Sequence, residues 1–185
     1  MSGRSIRPVC LGALMIASLW LAVGTSAASA HVELEPSTAK AGGTATLVFS
    51  PLNEEKDAGT IKVEVLFPRS FPIVSAVPQT GDAWTVDVTT RTVRKPVSGP
   101  DGKKTRSVVD KVTWIGGPSA TSGSFALPGL TVGKLPTKAK QLEFKVIQTY
   151  ANGHVDRWYQ KTVPGTPEPE APAPVLRLTK AGAAE

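Results

Sequence analysis

The chain has two histidines, and each stands in a spacing that invites metal chemistry. The first, His31, follows Ala28-Ser29-Ala30. A cut after Ala30 makes His31 amino-terminal. Its amine and its imidazole Nδ1 then close a ring on one metal ion, and the next peptide nitrogen adds a third donor. Nitrogen donors of this kind favour a square-planar or tetragonal ion, Cu(II) or Ni(II), over calcium or magnesium. The amine titrates near pH ~8, so a metal displaces its proton at neutral pH at modest cost. The alternative is an exposed terminal residue with no ligand role. Glu33 lies two residues on and shares a face with His31. The second histidine, His154, opens the series His154, Asp156, Trp158, in which every second residue carries a donor or an indole. On a strand these three share one face. No G-x-S-x-G elbow, H-E-x-x-H helix motif or phosphate-cradling glycine loop is present. An enzyme is therefore not expected.

The elements that must position these residues are short strands between turn signals. Ala45, Leu47 and Phe49 share one face of a strand after the Ala41-Gly42-Gly43 turn. Ile61, Val63, Val65 and Phe67 alternate with Lys62 and Glu64. Further strands are expected at 73–77, 84–88, 108–115 and 124–132, the last interrupted by Pro128-Gly129. Asn152-Gly153 between two alternating runs predicts a hairpin with a two-residue turn. That turn pairs Tyr150 with Val155 and Ile147 with Trp158, which leaves Trp158 on the polar face with His154 and Asp156. A tryptophan there is an anomaly, unless the register is off by one residue, which swaps the faces. Many short strands with no helix pattern predict an all-β, immunoglobulin-like antiparallel β-sandwich over residues 31–163. Residues 164–185 read as a Pro-rich linker and tail, with a short return strand at 175–178.

Residues 1–30 read as an export signal: Arg4 and Arg7, an apolar run from Val9 to Val23, and the small-residue cleavage site. The single cysteine, Cys10, lies within it, so a processed chain has no disulfide and no thiolate ligand. Loss of Arg4 and Arg7 lowers the net charge from +6 to +4. The remaining basic cluster, Arg91 to Arg106, is expected to be a solvated hairpin loop. It lacks the interleaved aromatics that stack on bases, so nucleic acid is not an expected partner. With no carboxy-terminal apolar run, no membrane span is expected after cleavage. The expected location is the periplasm or the exterior.

Several segments resemble the YcnI-like copper-binding proteins, an exported β-sandwich family. They include His31-Val32, Ala41-Gly42-Gly43-Thr44-Ala45-Thr46-Leu47 and Asn53-Glu54-Glu55. Thr60-Ile61-Lys62-Val63-Glu64-Val65, Val112-Thr113-Trp114-Ile115-Gly116-Gly117 and Gln148-Thr149-Tyr150-Ala151-Asn152-Gly153 continue the likeness. Arg157-Trp158 and Ala173-Pro174-Val175-Leu176-Arg177-Leu178-Thr179 complete it. The resemblance implies a Cu(II) site in which His31 supplies amine and imidazole, a glutamate supplies oxygen and Trp158 lies against the metal. It further implies a role in copper handling in the cell envelope, with a copper transporter or carrier as partner. One position departs from the family pattern: Leu127 stands where the glutamate is expected. Either the site is incomplete or another donor replaces the acid. Asp156 and Glu33 are the candidate oxygens, and His154 is a candidate second imidazole.

Three functions compete. The first is an extracytoplasmic protein that holds Cu(II) at His31 for trafficking or buffering, without catalysis. The second is a metal-free envelope interaction module on the same scaffold. The third is a copper oxidase with His31 and His154 as a two-histidine brace, which the small domain and the lack of an aromatic platform disfavour.

Overall fold

The computed structural model describes residues 31–81, 83–117 and 123–180. The expected export signal, residues 1–30, lies outside the described residues, as do Asp82, residues 118–122 and residues 181–185. Among the described residues fourteen strands form in chain order. The first seven are β1 (Glu33–Glu35), β2 (Thr38–Lys40), β3 (Ala45–Ser50), β4 (Leu52–Asn53), β5 (Thr60–Leu66), β6 (Ser75–Pro78) and β7 (Trp84–Ser98). The remaining seven are β8 (Lys104–Gly116), β9 (Gly123–Ser124), β10 (Leu130–Gly133), β11 (Gln141–Glu143), β12 (Lys145–Tyr150), β13 (Val155–Trp158) and β14 (Val175–Thr179). A five-stranded sheet in the order β13-β12-β5-β8-β7 and a four-stranded sheet in the order β1-β3-β10-β6 supply the two layers. The fold is all-β and immunoglobulin-like, as the strand pattern predicts.

The core lies between those layers because each strand turns its alternate apolar residues inward. Val63, Val65, Val112, Trp114 and Val146 come from the first sheet, and Leu34, Leu47, Phe49, Leu130 and Val132 from the second. Phe144 joins the two, with its ring edge-on to Phe49 and to Phe67 at 5.4 and 5.3 Å between centroids. Each such side chain, when fully buried, contributes about 1.5–3 kcal/mol.

Three features differ from the sequence-based expectations. In β5 the alternation of Val63, Val65 and Phe67 holds, but Ile61 is exposed. A bulge opposite Thr149 and Tyr150 shifts the register there, so Thr60 turns inward in its place. The basic stretch is not a loop. It is the outer part of the β7–β8 hairpin, turning at Gly99–Lys103 and irregular between Thr92 and Val97. Pro96 lies in that irregular segment and has no N–H to give the ladder.

The third difference is the register of the β12–β13 hairpin. Val146 pairs with Trp158, Ile147 with Arg157 and Gln148 with Asp156. The turn holds three residues, Ala151, Asn152 and Gly153: the Tyr150 N–H donates to His154 O, and the Gly153 N–H donates to Tyr150 O. Gly153 takes φ 87°, the left-handed conformation that ends such three-residue loops. One extra turn residue moves the whole of β13 to the opposite face, since side chains alternate with period two. Trp158 therefore lies in the core, 2% exposed, and not on a polar face.

The chain after β13 folds back onto the sandwich. Gln160 and Ala171 are joined by two hydrogen bonds, and Gln160 O accepts from the Ala173 N–H. β14 then lies in the middle of a third sheet, β11-β14-β2, antiparallel to β11 and parallel to β2. Its Leu176 is wholly buried.

Candidate functional site

His31 is placed by its neighbours on β1. Val32 and Leu34 are buried in the core, which anchors the start of that strand and turns Glu33 and Glu35 outward. The His31 side chain is one-third exposed and lies at the wall of a groove of about 520 Å³. The segment after β13, including Gln160, Lys161 and Glu168, also lines it, with Glu143 of β11 and Arg177 of β14. His31 Nε2 is 3.1 Å from Glu168 Oε1. That nitrogen is shut off from solvent, yet no hydrogen bond to it is aligned.

Three other predicted site residues, His154, Asp156 and Trp158, lie along β13 and the residue before it. His154, Asp156 and Trp158 do share a face, as their spacing predicts, but the face runs from solvent into the core. His154 is half exposed, Asp156 less so, and Trp158 is buried. Asp156 Oδ2 accepts a 2.6 Å hydrogen bond from the Tyr150 hydroxyl. Its Oδ1 lies 3.0 Å from His154 Nε2. The His154 ring also leans on Tyr150, with centroids 5.8 Å apart. Glu55 approaches His154 Nε2 at 3.9 Å and accepts a 2.9 Å bond from Asn152 Nδ2. This network ties the loop after β4 to the hairpin.

Electrostatics at the hairpin are set by burial and by Asp156. Burial, then the hydrogen bond to Asp156 and its charge, push the Tyr150 phenol well above its ordinary range. The phenol is thus a fixed donor to the carboxylate. Burial first, then the Asp156 charge, also raise the Glu54 carboxyl above 4.5. Below them Gln148 is wholly buried, with its Nε2 donating to Thr60 Oγ1 at 2.6 Å and its Oε1 without a partner.

The structure thus brings His154 and Asp156 together and sets His31 against Glu168. Trp158, Asp156, His154 and Glu33 do not line the His31 groove. Among the described residues no three His, Cys, Asp or Glu side chains converge at metal-binding spacing. Leu127, at the position where an acid is expected, is 2% exposed in the core, and its N–H donates to Phe49 O. Were His31 amino-terminal, it would supply two donors, amine and Nδ1, from one residue, with the Val32 peptide nitrogen as a third. The partial burial of the ring beside an open groove fits that use. Glu168 is the residue that local patterns do not point to. It sits in a proline-rich run, and its nearness to His31 exists only in the folded chain.

A family model described as a domain of unknown function, DUF1775, matches residues 31–178. It begins at His31 and ends within β14. No curated protein matches the chain. Among solved structures, an uncharacterized protein from Nocardia farcinica with an immunoglobulin-like fold is similar at 27% identity and a TM-score of 0.61. The alignment covers 80% of this chain and 97% of that one. A DUF4466 family protein from Parabacteroides merdae aligns over 74% of this chain and 40% of its own, at 11% identity and a TM-score of 0.29.

Proposed function

The chain belongs to the DUF1775 family, and from that premise we propose that it is an extracytoplasmic copper-binding protein that holds Cu(II) at His31 for trafficking or buffering. The observation that carries this reading is His31 itself, at the first residue of the family match, with its ring partly buried beside an open groove. After export and a cut at Ala30, the amine, Nδ1 and the next peptide nitrogen form the nitrogen set. A bound Cu(II) is cargo. Of the two candidate oxygens, Asp156 is engaged by Tyr150 and His154. Glu33 is exposed on β1, two residues from His31 and outside the groove lining, so it is a candidate oxygen by nearness in the chain alone. Trp158 is buried in the same core cluster as Val32 and does not line the groove, so the tryptophan contact that the resemblance implies is not part of this reading. The partner is a copper carrier or transporter of the cell envelope.

The test is a titration of the processed protein with Cu(II). Protein beginning at His31 is expected to bind one equivalent, and protein with one glycine added before His31 is expected to lose that binding. Equal binding by both proteins sinks the terminal-histidine reading. The buried leucine at 127 favours a second reading, a metal-free interaction module. It predicts that Cu(II) leaves the melting temperature of the processed protein unchanged, whereas a ligand specific to the native state raises it.

A further inference from the structure

We propose that Glu168 is a positioning residue for His31, holding the imidazole with its proton on Nε2 so that the Nδ1 lone pair faces the metal. The proposal rests on the reading of His31 as a copper ligand and deepens it. Three observations carry it. His31 Nε2 lies 3.1 Å from Glu168 Oε1, within hydrogen-bonding separation although the two groups are not aligned. The same nitrogen is closed to solvent and has no other hydrogen-bond partner, so water cannot satisfy it in place of the carboxylate. Finally, the Glu168 side chain is more than half exposed, but its backbone is restrained. Pro167 and Pro169 flank it and restrict the backbone on both sides. The segment is pinned by the Gln160 bonds to Ala171 and Ala173, and beyond them by β14.

Ring geometry decides the role. The two imidazole nitrogens point away from each other, so an oxygen lodged at Nε2 does not also ligate a metal held at Nδ1. A carboxylate there accepts the Nε2 proton, fixes the tautomer and orients the ring, as partners of metal-bound histidines commonly do. The proline-rich segment is then part of the site and not a spacer behind it.

The experiment compares three processed proteins beginning at His31: wild type, Glu168→Ala and Glu168→Gln. The His31 ring tautomer is read by nitrogen-15 NMR without metal, and Cu(II) affinity by competition with a chelator. Wild type is expected to hold the Nε2-protonated tautomer. Glu168→Ala should show mixed tautomers and bind Cu(II) about 10–100-fold more weakly, the usual loss for such partners. Glu168→Gln keeps an acceptor oxygen and should remain near wild type in both. An unchanged tautomer in Glu168→Ala overturns the proposal, and a lower melting temperature alongside it makes Glu168 a packing residue of the tail. If even wild type fails to bind Cu(II), the copper reading of His31 falls, and the metal-free tautomer still decides for or against Glu168.

Discussion

Trp158 owes its burial to its pairing with Val146, and its neighbours on the same face grade from core to solvent. Replacing Trp158 with alanine removes a large side chain from a packed core. The expected loss is about 3–5 kcal/mol, read as a lower midpoint in urea unfolding. A Trp158→Phe protein should lose less, because part of the volume remains. Two residues away the chemistry changes. Asp156 is partly buried and takes its shortest hydrogen bond from Tyr150. A Tyr150→Phe protein keeps the ring but withdraws a donor from a carboxylate, at a cost of about 1.5–3 kcal/mol. Urea unfolding of the two proteins side by side measures it. These two predictions separate the hairpin network from the His31 groove, since neither substitution removes a donor from His31.

The strands carry their own electrostatics. Glu64 on β5 bonds Lys111 at 2.6 Å across the β5–β8 ladder and Lys62 at 3.1 Å along its own strand. Burial alone raises its carboxyl, but the bonds from the two lysines outweigh burial and hold it below 4.5. A carboxyl with a lowered folded value contributes stability above its ordinary range and loses it as the pH falls through the lowered value. Wild type should therefore melt higher than Glu64→Gln at neutral pH. The gap should close as the pH drops below 4.5. Both lysines are more than a third exposed, so the gap is about 1 kcal/mol or less. Melting temperatures of the two proteins from neutral to acid pH test the sign. The turn of the β12–β13 hairpin has a different requirement. Gly153 sits at φ 87°, which β-branched side chains rarely adopt, so Gly153→Val should destabilise the hairpin although open space surrounds the position.

At the scale of the molecule, β14 makes the end of the chain part of the fold. It lies between β11 and β2, so its removal leaves both without their common neighbour. A processed chain ending at Pro174 should lose cooperative thermal unfolding. In the full chain, Leu176→Ala should cost about 2–5 kcal/mol, because that side chain is wholly buried. A sharp melt of the shortened protein at the wild-type temperature counts against an integral role for β14.

Alternation, turn residues and composition are local properties, and they made the β-sandwich class, most strands and the grouping of His154, Asp156 and Trp158 on one face readable in the sequence. Val63, Val65 and Phe67 declare an inward face because period two is imposed by the strand itself. Which way that face points is not local. One residue more in the hairpin turn put Trp158 in the core, and one bulge exchanged Ile61 for Thr60. Both depend on how neighbouring strands settle against each other, a choice made by the packed core. The same holds for Glu168. Nothing in a proline-rich run states which surface it lies against. Only the return of the chain through Gln160, Ala171 and β14 brings that carboxylate to the histidine at the other end of the domain.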